Sequence, residues 1–286
     1  MRSNSARAGK VFKRLPLTAG MIIFMLLVLA VSAPYIAPHD PNLQDLSIAL
    51  KPPFWQQGGE SGYPLGTDSL GRDILSRIIF GARVSVIVGF GGMILSGLIG
   101  TTLGLIAGYF GGKIDLLIMR FTDIMLSMPY ILIAIAIIGA IGPSLMNVIF
   151  VMAITNWVSY TRITRYEAMS LSKLEFVDMA KLSGIHPAKI IINHFVPNVL
   201  NSVTVLGSLD VGKLIVFEAA LSFLGLGVKP PTASWGAMLA DGRVYLTVAW
   251  WIATFPGVAI VLTVLAGNLL GDWLRDELDP RRQMKA

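Results

Sequence analysis

The sequence predicts an all-α membrane protein, a polytopic bundle of six transmembrane helices. Only 14% of its 286 residues are charged, against about 25% in soluble globular domains. The mean hydropathy is +0.69, and the apolar residues form uncharged blocks long enough to supply the ~20 residues that cross a bilayer. The net charge of +6 indicates no nucleic-acid partner, because the basic residues lie at the ends of these blocks rather than along one soluble face.

The six spans follow from the lengths of the apolar blocks. The uncharged block 124–161 would be about 57 Å long as one helix, nearly twice the hydrocarbon thickness. Gly142 and Pro143 lie near its middle and predict a turn that divides it into two spans. The predicted spans cover residues 15–38, 84–112, 121–141, 145–162, 198–224 and 244–271.

The distribution of basic residues supports the count of six, although three charged residues interrupt the fifth span. These are Asp210, Lys213 and Glu218. With six spans, the basic residues of tails 1–14 and 272–286 lie on the same side as those of loop 166–197. The positive-inside rule places this side in the cytoplasm. We therefore expect a multi-pass protein of a bacterial cytoplasmic membrane with both termini cytoplasmic, surrounded by membrane lipid.

Residues 39–83, between the first two spans, are expected to form a periplasmic segment that contains an amphipathic helix. Asp68 or Ser69 could cap this helix. Its predicted apolar face comprises Leu70, Ile74, Ile78 and Ile79, and its predicted polar face comprises Arg72, Asp73, Ser76 and Arg77. Such a helix is expected to lie in the membrane interface, outside the membrane core of residues 84–271.

Small residues recur at every fourth position of the second span and would form a smooth ridge on one helix face. They are Gly92, Ser96, Gly100, Gly104, Gly108 and Gly112. Ridges of this kind allow two helix backbones to approach closely inside a membrane. Packing within the chain is the simpler interpretation, and an interface with a second membrane chain is the alternative. Gly267 and Gly271 repeat the spacing in the last span.

The loop 166–197, between the fourth and fifth spans, predicts two short helices. Ser172 and Glu175 have the spacing of a capping box, which would start the first helix. Gly184 can end it in a left-handed conformation, and Pro187 suits the first position of the second helix. Helical spacing places Phe176, Val177, Ala180 and Gly184 on one face. From the residues alone, the loop is an amphipathic hairpin on the membrane surface.

The same loop resembles the EAA loop of bacterial ABC importer permeases. That motif reads Glu-Ala-Ala, three residues, Gly, nine residues, then Ile-x-Leu-Pro. The matching positions are Asp178-Met179-Ala180, Gly184 and His194-Phe195-Val196-Pro197, with the spacing intact and the chemistry changed at four positions. Matches to the C-type subunit of dipeptide, oligopeptide and nickel permeases are residues 64–68, 70–73, 218–219, 221–227, 235–239, 268–272 and 278–281.

The resemblance covers roughly residues 15–282 and implies a type I ABC importer permease fold with a defined set of partners. These are a second permease subunit, two ATP-binding subunits and a periplasmic or lipid-anchored substrate-binding protein. The loop would couple to an ATP-binding subunit through Glu175, Phe176, Val177, Asp178, Ala180, Gly184 and Pro197. Phe176, Val177 and Ala180 would be buried in the partner, and the two carboxylates would accept hydrogen bonds from it.

The resemblance also implies that the chain is not an enzyme and binds no cofactor, with ATP and Mg²⁺ held by partner subunits. Residues 207–213 have the spacing of a phosphate-binding loop, but Leu214 follows where Ser or Thr should help to hold Mg²⁺, and the stretch lies in an apolar span. His39, His186 and His194 lack the spacing of a metal site with another ligand.

The expected function is the permease subunit of an ATP-driven, binding-protein-dependent importer of di- or oligopeptides. The alternatives are a nickel or glutathione importer of the same family and, from another class, a secondary transporter driven by an ion gradient. Asp210, Lys213 and Glu218 are candidates for the transport path, since charges inside a span usually face a cavity or each other. A neutralised Asp210–Lys213 pair and an end-of-helix Glu218 are the alternative interpretation.

Overall fold

A computed structural model describes residues 17–278, which form an all-α bundle and confirm the predicted fold class. In chain order, the described helices are α1 (Leu17–Ile36), α2 (Ile74–Phe110), α3 (Gly112–Ser127), α4 (Tyr130–Ile141), α5 (Leu145–Leu171), α6 (Glu175–Leu182), α7 (Pro187–Ile190), α8 (Val196–Phe223), α9 (Trp235–Gly242) and α10 (Trp251–Leu278). A π-helical turn, Ile191–Phe195, joins α7 to α8. The predicted tail 1–14 and residues 279–286 lie outside the described residues.

The helices agree with most of the predicted spans, whereas the count of six is not fully reproduced. By length and composition, four helical segments of the described chain can each cross a membrane, and the bent pair α3–α4 can supply a fifth. The segment Pro187–Phe223 is one of the four, so its three charges do not prevent the fifth predicted span. The span predicted at 145–162 lies within α5, which is not among these segments.

The third span differs from the prediction because it is broken. The sequence predicts a span at 121–141, but α3 already begins at Gly112 and α4 turns away from it by 89°. Pro129 lies at the break in an extended conformation, with φ −58° and ψ 119°. Proline also has no N–H group to donate to the preceding turn and its ring crowds that turn, which disfavours a continuous helix at this position. Residues 125–130 at the bend line a cleft together with residues of α5 and α8.

The predicted amphipathic helix in 39–83 is corrected by the structure. The helix begins at Ile74, with Asp73 as its N-cap, and continues without a break through the second span to Phe110. The predicted polar face is not exposed, because Arg72, Asp73, Ser76 and Arg77 are all buried. The Asp73 carboxylate accepts hydrogen bonds from the Ser76 backbone N–H and hydroxyl at 3.0 and 2.5 Å, so packing of the external segment, rather than solvent, satisfies these groups.

A cluster of ionic groups organises this external segment. Asp68 accepts a hydrogen bond from Arg72 Nε at 2.6 Å and lies 3.7 Å from Arg77 Nε. The same carboxylate accepts from the backbone N–H groups of Leu70 and Arg72 at 2.9 Å. Asp241 of α9 lies 3.6 Å from Arg72 at a half-exposed position. Partial burial raises the pKa of Asp241 above its ordinary value, while the two arginines act in the opposite direction.

The small-residue ridge of α2 packs against α5 of the same chain up to Gly108, which agrees with the simpler of the two interpretations. The predicted last member, Gly112, instead follows the end of α2 with φ +53°, and a Cβ atom there would meet nothing within 4 Å. A Cβ atom added at Gly104 would lie 2.6 Å from the Thr161 carbonyl oxygen and 2.9 Å from the Arg165 backbone nitrogen. A Cβ at Gly108 would lie 2.7 Å from the Arg165 carbonyl oxygen. At Gly271 of α10 the close neighbour is a side chain, because a Cβ atom there would lie 2.5 Å from the Leu209 side chain of α8. Because glycine has no side chain, the α2 and α5 backbones can approach this closely.

The long helix α2 connects two ends of the bundle. Near its start, the Trp235 ring donates a hydrogen bond from Nε1 to the Ile78 carbonyl oxygen at 2.9 Å. Near its finish, the Tyr109 ring packs edge-on against Phe195 at a centroid distance of 5.4 Å. The 37 residues of α2 correspond to about 55 Å, so the helix is long enough to separate the external segment from the loop 166–197 by a full bilayer. We call these the Trp235 end and the Phe195 end.

Candidate functional site

The loop 166–197 has a defined conformation at the Phe195 end. Gly184 follows α6 with φ +73°, as predicted. The Ile185 N–H donates to the Ala180 carbonyl at 3.2 Å, and the Gly184 N–H donates to the Lys181 carbonyl at 3.0 Å, which is the Schellman pattern of a helix end. Pro187 occupies the first turn of α7, behind His186 as N-cap. The predicted hinge between two short helices is therefore present.

The start of α6 differs from the prediction. Leu174 is the N-cap residue, and no side chain caps the helix. Ser172, predicted as the cap, instead donates its hydroxyl hydrogen bond to the Met169 carbonyl at 2.9 Å, because α5 continues to Leu171 and Ser172 belongs to its C-terminal turn. The capping-box spacing in the sequence was therefore a chance match, although the helix that it predicted exists.

The two faces of α6 differ from the single face that the spacing predicts. Val177 and Ala180 are buried within the chain, with exposures of 0% and 9%. They pack in a cluster with Leu105, Ala168, Ile190, Phe195 and Val199, contributed by α2, α5, α7, the π-helical turn and α8. Phe176 points outward and is 43% exposed. In this conformation, Val177 and Ala180 are not accessible to a partner chain and instead attach α6 to the bundle.

The outward face of α6 is apolar at its centre and charged at its edge. Phe176, Met179 and Leu182 are 43%, 63% and 83% exposed, and we call these three residues the loop face. The predicted acceptors Glu175 and Asp178 are exposed beside them, and Asp178 lies 3.3 Å from the Lys181 ammonium. Pro197 lies in the first turn of α8. The sequence analysis did not select Met179 and Leu182 as coupling residues, although apolar residues at 176, 179 and 182 have a spacing that places them on one helix face.

Polar contacts connect the loop's neighbourhood to the spans. Arg165 of α5 forms a paired interaction with Asp115 of α3, which includes an Nη2–Oδ2 distance of 2.6 Å. Ser202 of α8 donates a hydrogen bond to Glu167 of α5. Since Val177 and Ala180 pack against Ala168 of α5 and Val199 of α8, α6 is attached to helices that continue into the membrane core.

A cleft of about 420 Å³ lies within the membrane core, at the bend between α3 and α4. Residues 125–130 of the bend line it, together with four positions of α5 between 155 and 159 and three of α8 between 213 and 217. Tyr130 and Phe217 pack across it with their ring centroids 5.1 Å apart. Its walls are apolar, interrupted by hydroxyl groups and by Asn156 and Lys213.

A hydrogen-bonded group of three residues forms the polar side of the cleft. Asn156 donates from Nδ2 to Asp210 Oδ2 at 2.6 Å. Lys213 donates from Nζ to Asn156 Oδ1 at 2.7 Å, and its distance to Asp210 Oδ1 is 3.8 Å. Asp210 is 4% exposed, whereas the Lys213 side chain is 51% exposed. The structure thus brings Asp210 and Lys213 together, as predicted, and adds Asn156, which no sequence pattern indicated.

Comparison with known proteins identifies the family. Residues 100–284 match the model of the family described as "binding-protein-dependent transport system inner membrane component". Residues 10–53 match the model of the "N-terminal TM domain of oligopeptide transport permease C". The chain belongs to this family of permeases. It is accordingly a membrane subunit of a transport system and not an enzyme, and the secondary-transporter alternative is not supported.

Several curated relatives resemble this permease over most of its length. It is 43% identical to the di/tripeptide permease protein DppC of Pseudomonas aeruginosa, over 92% of this chain and 87% of the relative. It is 44% identical to the dipeptide permease protein DppC of Haemophilus influenzae, over 91% of this chain and 89% of the relative. It is 40% identical to the glutathione permease protein GsiD of Pectobacterium atrosepticum, over 92% of this chain and 86% of the relative.

A solved structure supports the fold of the permease. A chain of the inward-facing methionine ABC transporter MetNI matches with a TM-score of 0.57 and 15% identity, covering 72% of this chain and 98% of that chain. At this identity the likeness concerns the fold alone, and it agrees with the predicted type I importer architecture.

Glu218, the third candidate for the transport path, is separate from the cleft of the permease. It is 1% exposed and accepts a hydrogen bond from Ser222 Oγ at 2.6 Å, toward the Trp235 end of α8. Residues 207–213, which have phosphate-loop spacing, are helical within α8, so their backbone N–H groups are used in the helix. Within residues 17–278, no three His, Asp or Glu side chains converge as metal ligands.

Proposed function

We propose that this permease is one of the two membrane subunits of an ATP-driven importer of di- or tripeptides. The observation that carries the proposal is the loop face, an exposed apolar surface on a short helix whose opposite side is buried among five other elements of the bundle. Exposed apolar patches of this kind mark docking sites for other chains. The substrate class is inferred from the dipeptide and tripeptide permeases that the chain resembles.

In this proposal the loop face docks on an ATP-binding subunit. Phe176, Met179 and Leu182 would enter an apolar cleft of that subunit, and Glu175 and Asp178 would accept hydrogen bonds from basic groups at its rim. Gly184 permits the sharp turn, and Val177 and Ala180 attach the docked helix to the bundle. ATP-driven closure of two such subunits, which hold ATP and Mg²⁺, would then tilt the spans as rigid bodies between inward-open and outward-open states.

The same proposal orients the chain in a bacterial cytoplasmic membrane. The Phe195 end would face the cytoplasm, because Lys173, Lys181 and Lys189 of the loop lie there. The Trp235 end would face the periplasm, where a periplasmic or lipid-anchored binding protein would deliver substrate. Both termini would be cytoplasmic, and a second, different permease subunit would complete the path.

The proposal is tested by transport from purified components. The permease, its partner permease and the ATP-binding subunits are reconstituted in proteoliposomes with the binding protein, and uptake of a labelled tripeptide, glutathione and nickel is measured. We expect uptake of the tripeptide only with ATP. Uptake driven by an ion gradient without ATP would contradict the proposal, and uptake of nickel or glutathione alone would correct its substrate.

Phe176→Asp should separate the permease from its ATP-binding subunits, because the variant would bury an unpaired carboxylate in the docking cleft. We expect recovery of these subunits by the tagged permease to fall at least tenfold, together with the complex's ATPase activity. Phe54→Asp is the matched control, since Phe54 is 57% exposed in the external segment. Equal recovery with the two variants would refute docking through the loop face.

A further inference from the structure

The cleft between the α3–α4 bend, α5 and α8 carries one formal charge. Among the described residues that line it, Lys213 is the one lysine, and no arginine, histidine, aspartate or glutamate is present. Lys213 lies ten residues before Phe223, the last residue of α8, which corresponds to about 15 Å along the helix axis. A charged group at this depth in a membrane bundle is costly, and a functional role is the default expectation when it faces a cavity.

Asp210 does not fully engage the ammonium group. The Lys213–Asp210 distance of 3.8 Å exceeds that of a hydrogen bond, and the Asp210 carboxylate receives the Asn156 amide instead. The ammonium has three donors, and within the described chain Asn156 accepts from one of them. Half of the Lys213 side chain remains exposed, and the residue lines the cleft. The charge therefore has donors available for a ligand.

Asn156 sets the direction of the ammonium group. A lysine can only donate and a carboxylate can only accept, so the Asn156 carbonyl must face Lys213 and its NH₂ must face Asp210. Asp210 is 4% exposed and is not among the residues that line the cleft. A ligand in the cleft therefore meets the positive charge, while the compensating negative charge is held behind it.

The rest of the cleft suits the end of a short peptide. Ser127, Tyr130 and Ser159 supply hydroxyl oxygens that could accept from backbone amides, and Phe217 supplies an apolar surface for a side chain. The ammonium of Lys213 would repel the N-terminal ammonium of a peptide and attract its C-terminal carboxylate. In the desolvated setting of a membrane bundle, a charge-assisted hydrogen bond between these groups is stronger than a neutral one.

We propose that Lys213 binds the C-terminal carboxylate of the transported peptide, and that Asn156 and Asp210 are its positioning residues. This inference rests on the proposed function, because it requires that the cleft belongs to the path of a peptide importer. It predicts that the membrane subunits themselves, and not the binding protein alone, select a free carboxylate.

The test uses the complete reconstituted transporter with Lys213→Gln, which keeps a hydrogen-bonding group and removes the charge. A tripeptide and its C-terminal amide are each supplied at concentrations that saturate the binding protein. For the wild type we expect uptake of the free acid to be at least tenfold faster than uptake of the amide. Lys213→Gln should lose this difference while retaining ATPase activity within twofold, and Lys213→Arg should retain the difference.

Two further variants separate binding from a structural role. Lys213→Gln leaves the buried Asp210 carboxylate without its neighbouring cation and should lower the thermal stability of the complex. Asp210→Asn/Lys213→Gln removes both charges and should restore that stability without restoring selective uptake. Lys113→Gln, at an exposed position of α3, is the matched control and should behave as the wild type. Equal uptake of acid and amide by the wild type, a preference that persists in Lys213→Gln, or recovery of preference in the double variant would overturn the inference. Absence of ATP-dependent uptake of both peptides by the wild type would instead refute the proposed function.

Discussion

Gly104→Ala should destabilise the permease by about 3 kcal/mol or more, the upper part of the range for over-packed positions. The added methyl group would collide with Thr164 and lie within 3 Å of two backbone atoms of α5, the Thr161 carbonyl oxygen and the Arg165 nitrogen. Backbone atoms cannot rotate away as a side chain can, so α2 and α5 must move apart along the largest helix–helix contact of the bundle. The melting temperature of the purified protein in mild detergent measures the effect.

Gly139→Ala is the matched control for this substitution. A Cβ atom at Gly139 of α4 would have no neighbour within 4 Å. Alanine has a higher helix propensity than glycine, by about 1 kcal/mol, so this variant should be as stable as the wild type or slightly more stable. The same chemical change is thus expected to have opposite signs at the two positions. A Gly104→Ala protein that melts at the wild-type temperature would contradict close packing of α2 on α5.

Asp68→Ala should unfold the external segment locally, with a loss of about 3–5 kcal/mol, as found when one partner of a buried ion pair is removed. Arg72 and Arg77 are 7% and 3% exposed, and the change would leave both guanidinium groups without the carboxylate that they share. It would also remove the acceptor for the Leu70 and Arg72 backbone N–H groups. The opened segment would be detected by limited proteolysis, with protease supplied to the Trp235 end and cleavage sites mapped between residues 39 and 73.

Asp241→Ala provides the control for Asp68→Ala. Asp241 also approaches Arg72, but at 3.6 Å and with a side chain that is 56% exposed. Solvent screens such a pair, and exposed pairs contribute about 0–1 kcal/mol. We therefore expect no change in the proteolysis pattern. If Asp68→Ala resists proteolysis as well as Asp241→Ala does, the buried ionic cluster does not hold the segment together.

Local rules in the sequence were sufficient for the elements with strong signals. Gly184 ends α6 in a left-handed conformation and Pro187 starts α7, because these backbone requirements depend on one or two residues. The small residues at every fourth position similarly predicted the ridge of α2 as far as Gly108, since helical periodicity alone places those residues on one face. The all-α fold class followed from the length of the apolar blocks.

The polarity of a residue predicted its exposure less well than the contacts that it makes in the folded chain. Arg72 and Arg77 were expected on the exposed polar face of a helix. Both are instead buried, and both approach the carboxylate of Asp68, which precedes the start of α2. Val177 was expected to be buried in an ATP-binding subunit, as the resemblance to the EAA loop implied, yet it is buried by α2, α5 and α8. In each case the deciding contact comes from a residue that is distant along the chain or outside the assumed helix.

The sequence by itself determined the membrane class, the family and the position of the loop 166–197, because these depend on composition and on motifs of contiguous residues. Only the tertiary structure decided which side of α6 is free and that Asn156 of α5 connects Asp210 and Lys213 of α8. The physical reason is that burial and hydrogen bonding inside the bundle are set by helices that meet across more than 50 positions of the chain, and helical periodicity carries no information about which neighbouring helix covers a face.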